Sequence, residues 1–232
     1  MKIEAVIAGA VLSLMGGQAF CATVTTVTNF GTGETSTSGL GKFGGFFKYT
    51  HISGQKTASL ELSITNLLAT GEGGKITAIA LNLAGTPNVG LGGFTTTSGH
   101  SSFGLFANPS QTSPWGAFEY SVALGSNFNG SGSPNPGVVR GATGVFKINV
   151  LGVATVLESL SASSFLSQTT SGPTSTSTAM LVRFKGFDDG GSDKVSGIPV
   201  EVSLGSLPSI PLPSAGLATG VMLGGMLARR RR

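Results

Sequence analysis

The chain of 232 residues has few of the side chains that catalytic and metal sites are built from. Its one cysteine, Cys21, excludes an internal disulfide, so the fold depends on its core and its backbone hydrogen bonds. Its two histidines, His51 and His100, have no Gly-x-Ser-x-Gly or His-x-x-x-His context. Charged residues make up 10% of the chain, and the acids are mostly isolated. We therefore predict no hydrolase, no glycosidase with paired carboxylates and no zinc site.

The net charge of +4 and the pI near 9.5 suggest a nucleic-acid partner, but the basic excess lies at the two ends. Of the 14 Lys and Arg residues, Lys2 and the last four arginines are terminal, which leaves nine. Of the 10 acids, only Glu4 is terminal, which also leaves nine. The body is neutral and its charges look scattered along the sequence, so we predict no nucleic-acid binding.

What the chain does contain is glycine, 37 residues of it, together with abundant Ser and Thr. This composition is typical of a secreted β protein with many turns. Short alternating apolar stretches predict strands at residues 23–30, 43–49, 58–65, 75–84, 118–124, 145–151, 179–187 and 198–204. The strands at residues 58–65 and 75–84, joined by a turn at Gly71, are expected to form a hairpin. Residues 153–160 have helical spacing and predict one short helix. These features predict an all-β fold, a single antiparallel β-sandwich of about 7–8 strands over residues 23–206.

Residues 1–22 have the features of a signal peptide. A basic start is followed by an apolar stretch from Ala5 to Met15 and by small residues at Gly17 and Ala19. The mature chain is expected to start between residues 20 and 23, which implies the Sec translocon and signal peptidase as partners. Cys21 lacks the Leu and the small residue that precede a lipidated cysteine, so we predict that it carries no lipid.

Residues 207–232 form a second terminal segment, which consists of a proline-rich stretch, an apolar stretch and four arginines. Prolines at 208, 211 and 213 predict an extended, protease-accessible spacer. Residues 215–228 are uncharged and, as a helix, would cover about 21 Å, less than the ~30 Å hydrocarbon core of a bilayer. The four arginines at the end favour the cytoplasmic side. The sequence predicts a weak, transient anchor in the cytoplasmic membrane, with the body outside.

The run Ile210-Pro-Leu-Pro-Ser-Ala-Gly216, followed by the apolar stretch and the arginines, resembles the PEP-CTERM sorting signal in its Pro-Leu-Pro variant. The resemblance covers residues 208–232 only. It implies processing by an exosortase-like protease of a Gram-negative bacterium, and delivery to the cell surface or the exopolysaccharide matrix of a biofilm. It also implies recognition through Pro211, Leu212, Pro213, Ala215 and Gly216, and topology set by Arg229, Arg230, Arg231 and Arg232. Leu212 stands where the commonest form has Glu, which leaves the exosortase subtype open.

Two alternatives remain for this tail. One is a plain single-pass transmembrane anchor, which would leave a surface protein attached to the membrane. The other is a Gram-positive sortase signal, because residues 212–216 have the spacing of Leu-Pro-x-Thr-Gly with Ala215 in place of Thr. No other stretch of the chain predicts a transmembrane helix.

Two weaker site candidates lie in the body. Asp188, Asp189 and Asp193 could supply part of a calcium shell, although their spacing differs from known loops and a solvated turn is the alternative. Trp115 could stack on a sugar ring, with packing over the sheet edge as the alternative. We therefore expect a non-enzymatic, structural or matrix-associated protein. A carbohydrate-binding or adhesive module and a calcium-stabilised surface protein are the alternatives.

Overall fold

A computed structural model describes residues 21–35, 39–83, 85, 88–97, 100–110, 112–126, 128, 134–167, 169–171 and 177–201. Most of the predicted signal peptide and the whole predicted sorting segment lie outside these residues. Within them, no helix is both long enough and apolar enough to cross a membrane.

Twelve strands, one α-helix and one 3₁₀ helix form in the described residues. The strands are β1 Thr23–Thr35, β2 Phe43–Ile52, β3 Thr57–Asn66, β4 Gly73–Leu81, β5 Gly90–Thr97, β6 Gly104–Ala107, β7 Tyr120–Ala123, β8 Thr143–Leu151, β9 Thr170–Ser171, β10 Ser177–Thr178, β11 Met180–Phe187 and β12 Ser192–Pro199. Helix α1 is Ala154–Ser159, and the 3₁₀ helix is Ala162–Leu166. The last strand therefore begins six residues earlier than predicted, because the turn after Phe187 is short.

Ten of these strands form one antiparallel sheet, in the order β5-β8-β3-β2-β1-β12-β11-β4-β7-β6. The all-β, antiparallel prediction is confirmed. The two-sheet sandwich of 7–8 strands is wrong, because one continuous sheet curls until it is nearly closed. A sandwich and a curled sheet both place alternate residues inside, so the alternation does not distinguish them. A separate two-stranded sheet joins β9 to β10.

The concave face of the sheet encloses the main core. Alternate residues of β2, β3 and β8 point into it, as their period of two predicts. Most of its members are fully buried; they include Phe30, Phe43, Phe47, Leu60, Leu62, Ile64, Phe146, Ile148, Val150, Phe165 and Phe184. Burial on this scale is the main favourable contribution to stability in a fold without disulfides.

Strand β4 is buried on both faces, as its apolar composition predicts for a central strand. Ile76 and Ile79 belong to the main core. Ala78 and Ala80 face the other way, where Trp115 and its neighbours cover the convex side of the sheet. The small alanines leave room for this cover, so a second cluster forms outside the sheet. Its members are Ala78, Ala80, Trp115, Phe118, Ala123, Phe128 and Leu181.

The predicted hairpin between residues 58–65 and 75–84 is wrong. Strand β3 pairs with β2 and β8, whereas β4 pairs with β11 and β7. The two edges of β3 are occupied by β2 and β8, which leaves no free edge for β4. Asn66 is fully buried at the end of β3. Its Nδ2 donates to the carbonyls of Gly74 at 3.2 Å and Val138 at 3.0 Å, and its Oδ1 accepts from the Leu68 amide at 3.2 Å. These bonds satisfy the polar atoms of a buried side chain, and they tie the end of β3 to Gly74 at the start of β4 and to Val138.

The predicted helix is confirmed as α1, and side chains of the sheet hold it in place. The buried Tyr49 donates its hydroxyl to the Leu157 carbonyl at 2.8 Å. Glu158 accepts from the Ser53 hydroxyl at 2.7 Å and from the Gly54 amide at 2.9 Å. These two bonds keep the pKa of the Glu158 carboxyl below its usual value.

Burial raises the pKa of Tyr49 from 10.0 to about 12, which predicts a loss of stability at high pH. Between these values the unfolded chain loses the phenol proton and the folded chain keeps it, so unfolding becomes more favourable as the pH rises. We expect Tyr49→Phe to flatten the fall in Tm between pH 10 and 12 relative to the wild type. At pH 7 the lost hydrogen bond costs about 1 kcal/mol.

The check is thermal unfolding across this pH range. Tyr120→Phe, at the only other tyrosine, is the control and should keep the wild-type slope. Equal slopes for wild type and Tyr49→Phe would contradict the prediction.

Candidate anion-binding site

Four of the nine basic residues of the body lie together on the convex face of β4, β11 and β12. Strand pairing places Arg183 directly opposite Lys194, and Lys185 directly opposite Lys75. Arg183 and Lys185 are two residues apart on β11 and therefore share a face, about 6.6 Å apart along the strand. The prediction that the charges of the body are scattered is wrong, because the β11–β12 hairpin and the β4–β11 pairing bring these four together.

The surroundings of the cluster disfavour the charged forms of three of its members, Arg183, Lys185 and Lys194. Burial, and then the positive charge of Arg183, lower the pKa of Lys194 and of Lys185. Burial also lowers the pKa of the Arg183 guanidinium. In the described part of the chain, no carboxylate lies within salt-bridge distance of Arg183, Lys194 or Lys75. Directly opposed like charges destabilise a sheet, so this arrangement favours an anion from outside.

Backbone and amide oxygens, which carry no formal charge, hold the cations in position. Lys194 Nζ donates to the Ser113 carbonyl at 2.6 Å, and Lys75 Nζ donates to Asn135 Oδ1 at 3.2 Å. Arg183 Nη1 donates to the Phe128 carbonyl at 3.3 Å. Its Nε is buried and has no hydrogen-bond partner. A guanidinium can donate in a fork to one carboxylate, so Arg183 has unused capacity on this face.

A shallow, open groove of about 520 Å³ adjoins the cluster. The Ser113 carbonyl that accepts from Lys194 belongs to its wall. The lining consists of two prolines, three hydroxyl residues and small residues: Pro109, Pro114, Ser110, Thr112, Ser113, Gly116 and Ala117. The groove therefore offers apolar ring surfaces and hydroxyls immediately beside a positive charge.

Trp115, the predicted sugar-stacking residue, forms part of the floor below this segment and not its surface. Its side chain is fully buried in the cluster outside the sheet, against residues such as Ala78 and Phe118. This burial favours the alternative of packing over the sheet, where the large ring lies against small alanines. Its face is not available to a sugar.

The three aspartates of the predicted calcium loop do not converge. Asp189 accepts from the Gly191 amide at 2.7 Å within the turn after β11. Asp193 is on β12 and almost fully buried, and it accepts from the amides of Gly41 at 3.2 Å and Lys194 at 2.8 Å. Among the described residues, no three His, Cys, Asp or Glu side chains form a group that could hold a metal ion.

One set of polar side chains has the types found in hydrolases, but its geometry is different. Ser53 donates directly to Glu158, whereas His51 Nε2 bonds to the Gln55 carbonyl at 2.9 Å. A serine nucleophile needs the histidine as its base, and here the serine hydroxyl is held by the carboxylate. The set fastens α1 to the turn between β2 and β3. His100 packs against Phe103 and Phe146 instead, with ring centroids 6.0 and 6.2 Å away.

The sorting residues predicted at 211–216 and 229–232 lie outside the described residues. Sequence reasoning missed the cation cluster, although part of its signal was present. Arg183, Lys185 and Lys194 alternate on the two arms of the Asp-Gly-Gly turn, and a short hairpin places such residues on one face. Lys75 gave no such signal, since it depends on the β4–β11 pairing between distant segments.

In comparisons with known proteins, no family model, curated protein or solved structure matches the chain.

Proposed function

We propose that this is an exported, non-enzymatic protein that an exosortase-like system sorts to the cell surface or extracellular matrix of a Gram-negative bacterium. The observation that carries the proposal is the relation between the strands and the two predicted processing segments. Strand β1 begins at Thr23 and β12 ends at Pro199. Cleavage between residues 20 and 23, and again within 210–216, would leave all twelve strands intact.

The pairing of the first and last main strands adds support. Phe30 lies opposite Pro199, and the Val200 amide donates to the Asn29 carbonyl at 3.0 Å. The strand that follows the signal peptide thus pairs with the strand that precedes the tail. A body closed in this way does not depend on either removable segment, which suits a structural role after release.

Mutation of the tail tests the proposal. We expect the full-length chain, expressed in an exosortase-bearing Gram-negative host, to give a released species. Its intact mass should correspond to a C-terminus within residues 210–216. Replacing Pro211 and Pro213 with Ala should abolish most of this species, because the extended recognition segment loses its fixed backbone. Intact mass spectrometry of extracellular and membrane fractions measures both. Pro208→Ala, outside the Pro-Leu-Pro run, should process normally.

A wild-type species that still ends at Arg232 in the inner membrane would contradict the proposal and favour the single-pass anchor. A carbohydrate-binding module is the second candidate function. The observation that favours it is the groove beside Lys194, since its hydroxyls and proline rings suit a sugar better than the buried Trp115 does.

A further inference from the structure

The four cations on the convex face are unexpected, because the pairing of the strands does not need basic side chains at these positions. Residues on an exposed strand face are free to vary in charge, and alternating signs would stabilise the sheet. Here Arg183 faces Lys194 and Lys185 faces Lys75. Each pair has like charge, and the pKa of three of the four groups is lowered. Groups held in such an arrangement are candidates for a binding site.

The chemistry of the ligand follows from what lies around the charge. Arg183 Nη1 donates to the Phe128 carbonyl and its Nε is buried without a partner, so the guanidinium is only partly bonded within the protein, and a planar guanidinium pairs well with a carboxylate. Lys194 links the cluster to the groove through Ser113. The groove has hydroxyls for hydrogen bonds and prolines for the apolar faces of a ring. The positive charge of the cluster and a groove that could take a sugar ring are therefore adjacent.

The overall charge of the body limits the class of polymer. Duplex DNA carries a charge every ~1.7 Å, and proteins bind it through an extended basic surface. This body is neutral outside its termini and offers one local cluster. A polymer with one carboxylate per sugar ring fits better, because a single local cluster of cations matches separate carboxylates and not a continuous line of phosphates.

We propose that the groove lined by residues 109–110, 112–114 and 116–117 and the cation cluster together bind an acidic saccharide of the uronate class. The ring lies in the groove, and its carboxylate lies against Lys194 and Arg183. The inference rests on the proposed function for its setting, since export brings this face to extracellular polysaccharide. Binding itself depends only on the folded body.

The test is a titration of the full chain, purified in mild detergent, with an oligogalacturonate at low salt. We expect saturable binding of the uronate and none of a neutral maltooligosaccharide. Lys194→Gln should weaken uronate binding about tenfold, the loss expected for one charge-assisted hydrogen bond. Lys48→Gln, the same change at an exposed lysine on β2, should bind like the wild type.

Folding is checked on the same samples. Without ligand, Lys194→Gln should melt no lower than the wild type, because removal of the repulsion by Arg183 compensates for the lost bond to Ser113. If it melts lower, Lys185→Gln replaces it and should also weaken binding.

Several results would overturn the inference. They are no uronate binding, equal binding by wild type and the cluster variants, equal binding of the neutral sugar, tighter binding of a DNA duplex, or equal affinity for inorganic sulfate. The last would indicate an anion site without a role for the groove. These results are independent of tail processing: a wild-type chain that stays unprocessed in the exosortase-bearing host but still binds the uronate would remove the export proposal and keep the site.

Discussion

Phe47→Ala should destabilise the protein by about 3–5 kcal/mol, the usual cost of removing a buried phenyl ring. Phe47 is fully buried at the centre of the concave face. Its ring centroid lies 5.3 Å from that of Phe30 on β1 and 6.4 Å from that of Phe165 in the 3₁₀ helix. The substitution opens a cavity between three elements that a rigid sheet cannot close. For a chain of this size the loss corresponds to a fall in Tm of about 6–20 °C.

Phe46 provides the control within the same strand. It is the preceding residue, so its side chain points to the opposite, convex face, where it is only half-buried opposite Ser63. We expect Phe46→Ala to cost less than about 1 kcal/mol. Chemical denaturation of both variants gives the comparison. Similar losses for the two would mean that the register of β2 is wrong by one residue and that the assignment of its faces fails.

The strands with a strict period of two could be predicted from the sequence. The alternation of Phe146, Ile148 and Val150 with Lys147 and Asn149 predicts β8 and its buried face, and both are found. This works because one face of the strand is buried and the other is solvated, so each residue reports its own environment. The same reasoning finds β3, where Leu60, Leu62 and Ile64 alternate with polar residues.

The order of the strands could not be predicted in this way. Strands β3 and β4 are neighbours in sequence, yet β3 pairs with β2 and β8, and the buried Asn66 joins its end to Gly74 of β4 only through a side chain. Asparagine in a polar stretch usually indicates a surface turn, and only tertiary contacts show that this one is inside. Strands β5 and β6 lie in a Gly- and Ser-rich region that has no apolar period, and their pairing with β8 and β7 defines them.

The candidate site shows the same limit. The sequence contains Trp115 and the acidic turn as visible features, but Trp115 is buried, and among the described residues the three aspartates do not form a metal-ligating group. The groove depends on how residues 109–117 pass over the small side chains of Ala78 and Ala80. The cation cluster depends on β11 lying between β4 and β12. Both arise from long-range pairing, which local patterns do not encode.

Asp193→Ala should be the most damaging change among the three aspartates of residues 188–193. A hydrogen bond to a charged group contributes about 1.5–3 kcal/mol, and the loss of Asp193 leaves the buried Gly41 amide without this acceptor. The contact depends on a close approach of the backbone. A Cβ at Gly41 would overlap Val195 Cγ2 and lie 2.9 Å from Phe184 Cδ2, so the loop before β2 packs directly on the β11–β12 hairpin. Asp193 therefore anchors this loop.

Three variants separate this anchoring role from calcium binding. Asp193→Asn keeps one acceptor oxygen and should lose less stability than Asp193→Ala. Asp189→Ala loses only the bond to the Gly191 amide in an exposed turn, so we expect a change within about 0.5 kcal/mol. Calcium and chelator should leave the Tm of all three variants and of the wild type unchanged, because a carboxylate committed to two backbone amides on a strand is not positioned as a ligand. A calcium-dependent rise in Tm in the wild type that Asp189→Ala removes would contradict this and restore the turn as a metal site.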